Sequence, residues 1–210
     1  MRKLFLGMLS LLLAQASSGV TVDRIAAIID RQVLTVSEVS QMVELRFFPR
    51  SSADEDDHRR DVLDLLIAQL LRFRDVERFG AQDIPRDSIE ARLTEIQGRF
   101  ASAEEFDAAL TRAELALDEL RALIKRQLQV EAYIQERFAP LIFIPNEEIE
   151  AYYAGPWTRQ RRQRGLSVPP LGQVREEIRT LMRSTKLQDD IARWTDQLRQ
   201  RANVDVYAWR

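Results

Sequence analysis

The chain has 210 residues, with 31 lysines and arginines, 33 aspartates and glutamates, one histidine and no cysteine. The absence of cysteine excludes a disulfide scaffold, thiol catalysis and cysteine-ligated zinc. The single histidine, His58, disfavours histidine metal sites and histidine-dependent triads, and its position beside two arginines on an acidic helix start predicts a surface side chain. Seven glycines and seven prolines are too few for a turn-rich all-β fold.

Residues 1–16 have the layout of a secretory signal peptide. Two basic residues precede a ten-residue apolar run at 4–13, and Ala14 and Ala16 place small residues at −3 and −1 of a cut. Ten residues of helix rise about 15 Å, half the thickness of a bilayer core, so a membrane-spanning helix is disfavoured. The alternative to a signal peptide is a buried N-terminal helix. Removal of the two positive charges of the signal from the formal net charge of −2 leaves a mature chain at −4. The negative net charge of the mature chain disfavours nucleic-acid binding. No later apolar run is long enough to predict a membrane-spanning segment.

The segment that follows predicts a β-hairpin and a helix. Two short apolar runs flank a polar turn within residues 22–34, which is typical of a hairpin. Thr35 and Glu38 form a T-x-x-E capping box that opens a helix to about Phe48. The acidic residues of the polar link at 50–57 are favoured at the start of the next helix, where the helix dipole is positive. A calcium loop is disfavoured, because the link lacks the glycine and the final glutamate that such a loop needs.

The helix from about residue 54 to residue 79 is predicted to be the central core helix, because apolar residues cover most of its circumference. Gly80 is expected to end it. A third helix is predicted at 85–97, and a second capping box, S-x-x-E at 102–105, opens a short fourth helix.

The second half of the chain predicts a long helix at 117–138, a short helix at 147–153, and a last helix at 173–201 that carries an apolar stripe. Residues 155–172 contain three glycines, three prolines and four arginines, which favours a loop. In the tail at 204–209, apolar and polar residues alternate, which predicts an edge strand.

No dinucleotide, P-loop, zincin or nucleophile-elbow motif is present. The basic run Arg159–Arg164 is typical of a solvated loop. It could alternatively bind an anion, a membrane surface or an acidic partner. Tyr152, Tyr153 and Trp157 come just before this run and fit either core packing or an exposed apolar contact for a peptide.

The order of these segments resembles the SurA-type periplasmic chaperones, a family that includes the parvulin-containing foldases. The stretches that carry the resemblance are 22–39, 61–80, 144–155 and 174–207. The resemblance implies a mainly α fold, in which a small N-terminal hairpin and helices form a chaperone module and a C-terminal helix and edge strand pack back on it. In that family a parvulin isomerase domain follows the short helix with the EEIEAYY pattern. Here only twenty residues separate Tyr153 from Val174, so the isomerase domain is missing from this position.

We therefore expect one chaperone domain over residues 17–210. It consists of a module at 17–154, a linker at 155–172 in place of the parvulin domain, and the C-terminal helix and strand at 173–210. The implied protein is an ATP-independent periplasmic chaperone that binds unfolded or partly folded exported and outer-membrane proteins. It needs no catalytic residue, cofactor or metal, and no nucleic acid. The alternative is an exported adaptor or assembly protein that uses the same module for one fixed partner, and a homodimer is left open.

The family has no short binding motif to transfer, so the client contacts are predicted from position. The predicted contacts are apolar or aromatic: Met42, Phe47, Phe48, Phe100, Tyr152, Tyr153 and Trp157. If neither the aromatic cluster at 152–157 nor the basic run holds the client, the cradle is expected between the 36–48 helix and the 117–138 helix.

Overall fold

A computed structural model describes residues 23–209, so the predicted signal peptide lies outside the described residues. The N-terminal hairpin is confirmed: β1 (Ile25–Ile29) and β2 (Gln32–Thr35) are antiparallel. Asp30 turns between them with φ of 55°, a left-handed conformation that aspartate tolerates well. The predicted edge strand, β3 (Val204–Val206), pairs antiparallel with the other side of β1, and the strand order is β2-β1-β3.

The first five helices follow the predicted order, and the mainly α class is confirmed. They are α1 (Val36–Glu44), α2 (Glu55–Phe79), α3 (Arg86–Gln97), α4 (Ala103–Arg112) and α5 (Leu117–Arg137). The predicted capping box of α1 is present, because the Glu38 amide donates to Thr35 Oγ1 at 3.2 Å and the Thr35 amide donates to Glu38 Oε2 at 2.7 Å.

The prediction that α1 runs to Phe48 is wrong, because the helix ends at Glu44. Arg46 adopts a left-handed backbone with φ of 48°. Its amide donates to Val43 O at 3.0 Å, and the Phe47 amide donates to Met42 O at 2.9 Å. These are the two bonds of a Schellman motif, which satisfies the last carbonyls of the helix and turns the chain away from it.

The C-terminal part consists of α6 (Asn146–Tyr152), α7 (Thr158–Gln163) and α8 (Leu171–Arg201), with a 3-10 turn at Ala139–Leu141. The loop predicted at 155–172 is wrong for residues 155–163, because the chain continues from α6 through a π turn at Tyr153–Trp157 into α7. Pro156 has no N–H to donate, and the helix widens at this point instead of ending. Residues 153–171, all of which the structure describes, contain no strand.

The main core surrounds α2, as the sequence predicts. Buried Val62, Leu63 and Ile67 of this helix belong to the same apolar cluster as residues of the hairpin, α1, α3, α4 and α5. A separate satellite cluster lies at the other end of the chain and contains Ile142, Ile144, Ile149, Trp157, Val174 and Ile178.

Helix α8 joins the two clusters. It has 31 residues and is about 46 Å long, so its first half packs in the satellite cluster while Leu198, near its other end, packs against the main core. Between these two regions, Ile191 and Trp194 pack against Val76 of α2 and Val130 of α5. The C-terminal helix and strand therefore pack back on the N-terminal elements. Within residues 23–209, no helix has the length and apolarity needed to cross a membrane.

Candidate functional site

An apolar groove of about 350 Å³ lies between α1, α2 and α5 and is closed at one end by the hairpin. Its apolar lining comes from these four elements and from the α4–α5 connection: Leu34, Met42, Leu66, Leu70, Phe73, Leu115, Ala122 and Leu123. The groove thus occupies the position, between the first and fifth helices, that the sequence favours as the alternative cradle.

The wall on α2 is one stripe of half-buried side chains. Leu66, Leu70 and Phe73 follow one another at +4 and +3, so they share one face of the helix. Leu123 of α5 faces the same groove and is also half-buried. Since these side chains remain partly exposed, a ligand segment that enters the groove would remove their remaining apolar surface from water.

Polar groups at the rim are fixed by backbone contacts. Gln41 Nε2 donates to Ala113 O at 2.9 Å, which ties α1 to the α4–α5 connection. Glu38 and Glu119 each accept the amide at their own helix start, both at 2.7 Å, from Thr35 and Ala116. The rim is therefore preorganised, with carboxylates near the starts of α1 and α5.

A single cation completes this lining. The Arg126 guanidinium lies 5.6 Å from the centre of the Phe73 ring. This is cation–π distance, which leaves the cationic group over an aromatic wall of the groove. No catalytic acid–base pair forms here, and the arrangement is suited to holding apolar side chains beside polar backbone.

The seven predicted contact residues do not share one surface. Met42 is buried and lines the apolar groove. Phe47 is buried against Phe48, with ring centroids 5.1 Å apart. Phe48 and Phe100 line a second hollow, of about 540 Å³, which is rich in arginine.

The aromatic cluster at 152–157 forms part of the satellite cluster. Trp157 is only 4% exposed, and its ring centroid lies 5.4 Å from that of Tyr153. Tyr153 Oη donates to Pro169 O at 2.8 Å, and Tyr152 is half-buried beside them. Of the two interpretations of Trp157, core packing is the one that the structure supports, and client contact at Tyr152 and Tyr153 stays a prediction.

The surface position predicted for His58 is wrong, because this side chain is 4% exposed. The turn before α2 folds over the ring, and Ser51 Oγ lies 3.1 Å from His58 Nδ1. Within residues 23–209, histidine and carboxylate side chains do not gather into a potential metal site.

Most of the groove was not predictable from the sequence, because its leucines have the spacing of ordinary core positions. One signal was available: Gln69 lies on the same helical stripe as Leu66, Leu70 and Phe73. A glutamine in the middle of an apolar stripe indicates a face that is wetted, since a buried amide needs hydrogen-bond partners.

Comparison with known proteins gives one consistent result. The chain is 30% identical over 141 residues to Chaperone SurA of Pseudomonas putida, an alignment that covers 63% of this chain and 32% of the relative. It is 28% identical over 158 residues to Chaperone SurA of Pseudomonas fluorescens, covering 71% and 36%. The Chaperone SurA of Pseudomonas aeruginosa is 26% identical over 140 residues, covering 64% and 34%.

No protein-family profile matches the chain. The chain spans about a third of the length of the curated relatives it matches. The resemblance predicted from the order of the segments is nevertheless confirmed by pairwise similarity over most of the chain. The protein is therefore a relative of the SurA chaperones that corresponds to part of their length.

Proposed function

We propose that this protein is an ATP-independent periplasmic chaperone that binds unfolded exported or outer-membrane proteins and does not isomerise prolines. The observation that carries the proposal is the apolar groove between α1, α2 and α5, in a chain whose curated relatives are named chaperones. Clients are polypeptide segments with apolar side chains, which the groove holds by burial without chemical change.

The composition of the groove fits weak, adaptable binding. Fully burying one leucine or phenylalanine contributes roughly 1.5–3 kcal/mol, and the groove walls are already half-buried, so each contact contributes less than this. Met42, buried at the base of the groove, supplies a flexible thioether that lets the lining repack around side chains of different shape. Binding by burial needs no nucleotide. Because each contact is weak, the client can dissociate from the groove without an energy source.

Obstruction of the groove should abolish holding. Ala122 is an exposed position of α5 on the groove lining, so Ala122→Arg puts a long charged side chain into the groove without removing a core contact. We expect the variant to lose most of its suppression of the aggregation of an unfolded outer-membrane protein, measured by light scattering at near-stoichiometric ratios without nucleotide.

Ala192→Arg is the matched control, because Ala192 is an exposed alanine inside α8, outside the groove. It should hold clients like the natural chain. Equal suppression by both variants, each with an unchanged melting curve, would remove the groove as the client site. Binding of one purified partner but of no unrelated unfolded client would favour the fixed-partner adaptor instead.

Prolyl isomerase activity should be absent. The parvulin reaction takes place in a separate α/β domain, and the segment 153–171, which contains no strand, leaves no sheet in which to build one. We expect no acceleration of a proline-limited refolding reaction at substoichiometric protein. Acceleration that a point substitution abolishes would contradict this part of the proposal.

A further inference from the structure

Two apolar side chains protrude from the link between α5 and α6. Leu141 is 79% exposed and Phe143 is 74% exposed, the highest values among the large apolar residues that the structure describes. Ile142 and Ile144, which alternate with them, are buried in the satellite cluster. From Ile142, after the 3-10 turn that ends at Leu141, the segment is extended, with one face in the cluster and the other outside. Leu141 and Phe143 are named here the ridge.

The ridge is held rigidly. Its buried neighbours anchor it from below, and Pro140 and Pro145 restrict the backbone at both ends. From α8, the Arg183 guanidinium donates to Ala139 O at 2.8 Å and Lys186 Nζ donates to Phe143 O at 3.3 Å. A segment tied down in this way presents its two apolar side chains at fixed positions.

The same two contacts place positive charge beside the ridge. Arg183 and Lys186 are exposed, and neither has a carboxylate within 4.0 Å among the described residues, although ion pairs are common elsewhere on this chain. Arg179, which lines the hollow beside Phe143 with Arg183, is paired with Glu176. The nearest acids along α8, Asp189 and Asp190, lie about one turn beyond Lys186, and Asp190 is paired with Arg193. Glu147 and Glu148 lie in the first turn of α6, where the helix dipole favours them.

We propose that the ridge docks on an anionic lipid surface. Leu141 and Phe143 would enter the headgroup region, and Arg183 and Lys186 would contact lipid phosphates. The shape favours lipid over a peptide, because a protruding apolar pair enters a deformable surface, whereas peptide sites are concave. Each basic side chain close to an anionic bilayer strengthens binding about fivefold.

The test is co-sedimentation with vesicles of phosphatidylethanolamine and phosphatidylglycerol, with phosphatidylcholine vesicles in parallel. Protein recovered from the periplasm is used, and its N-terminus, read by mass spectrometry, must be the same in every variant. The natural chain should bind the anionic vesicles, and Leu141→Ser/Phe143→Ser should reduce its partition roughly tenfold or more. Arg183→Gln/Lys186→Gln should give a similar reduction and a shallower salt dependence.

Two matched variants test whether the position matters. Leu65→Ser/Phe79→Ser replaces an exposed leucine and phenylalanine elsewhere, and Arg159→Gln/Arg162→Gln neutralises two exposed arginines of α7. Both should bind vesicles like the natural chain, and all variants should keep the same circular dichroism melting curve. Equal binding by the ridge variants and the natural chain overturns the proposal.

Two further results would also overturn it. Binding of polyglutamate but not of anionic vesicles would assign the ridge to an acidic protein partner. A dimer that dissociates only in the ridge variants, seen by size exclusion with light scattering, would assign the ridge to a second copy of this chain. Client holding by the groove is measured separately, so either result leaves the proposed function standing.

Discussion

Arg46 occupies a backbone position that usually belongs to glycine. Its left-handed φ of 48° places Cβ against the local backbone, which costs roughly 1–2 kcal/mol for a residue with a side chain. Its side chain makes three contacts across the α3–α4 junction: a hydrogen bond to Arg99 O, an ion pair with Glu105 at 2.7 Å, and the Phe100 ring 4.4 Å away. These contacts explain why an arginine is kept where the backbone favours glycine.

The two contributions can be separated by two substitutions. Arg46→Ala removes the side-chain contacts and keeps the strained backbone, whereas Arg46→Gly removes both. We expect both variants to be less stable than the natural chain, with Arg46→Gly about 1 kcal/mol more stable than Arg46→Ala. Urea unfolding checks this, and equal midpoints for the two variants would mean that the backbone at Arg46 is not strained.

At the scale of elements, α3 is attached to α5 by two reciprocal ion pairs. Arg121 of α5 donates to both carboxylate oxygens of Glu90 at 2.8 and 3.2 Å, and Arg92 of α3 donates to both oxygens of Glu131 at 3.0 and 2.9 Å. These bidentate pairs fix the register of one helix on the other. The hydrogen bond from Arg121 holds the pKa of Glu90 below its usual range.

This lowered pKa predicts a pH-dependent contribution. A carboxyl group with a lower pKa in the folded state stabilises the fold above its unfolded pKa, and the effect is lost as the pH falls through the folded pKa. We expect Glu90→Gln to melt slightly below the natural chain at pH 7, with the gap closing as the pH falls through the lowered pKa of Glu90. Glu177→Gln, at an exposed position of α8, is the control and should show little difference at either pH. A gap that does not depend on pH would show that Glu90 acts through packing.

Helix starts were predictable because their signals are local. The capping pair Thr35 and Glu38 and the N-cap Ser102 lie within three residues of the bonds that they make. The end of α1 and the helical path at 155–163 were not predictable in the same way. Arg46 reaches its conformation through contacts 53 and 59 residues away along the chain, and no local pattern encodes them.

At the scale of the whole molecule, α8 and β3 are shared by otherwise separate parts. The helix supplies Val174 and Ile178 to the satellite cluster and Trp194 to the cluster around Val76. The Trp194 indole donates to Asp75 Oδ2 at 3.1 Å, which also binds the helix to α2. The groove itself arises at this scale, because its walls come from three different helices, α1, α2 and α5. The apolar stripe of each helix could be predicted from the sequence, but the space left between the three helices could not.

A chain that stops before Gly172 should therefore fail to fold cooperatively. It would expose the satellite cluster, one side of β1 and the α2 face beneath Trp194. Each buried leucine or isoleucine so exposed costs roughly 1.5–3 kcal/mol, a large fraction of the stability of a typical domain. Differential scanning calorimetry should show a broad transition or aggregation. A sharp transition like that of the full chain would show that residues 23–171 form an independent domain.

The strand order β2-β1-β3 determines the order in which the sheet can form. The central strand β1 finds its first partner within a few residues, but its second partner is formed by Val204–Val206, near the other end of the sequence. Until residues 204–206 reach it, the outer edge of β1 stays unpaired, a template to which any other extended segment could add. Completion of the sheet therefore depends on a contact of large sequence separation, and a fragment that ends before residue 204 keeps that edge open.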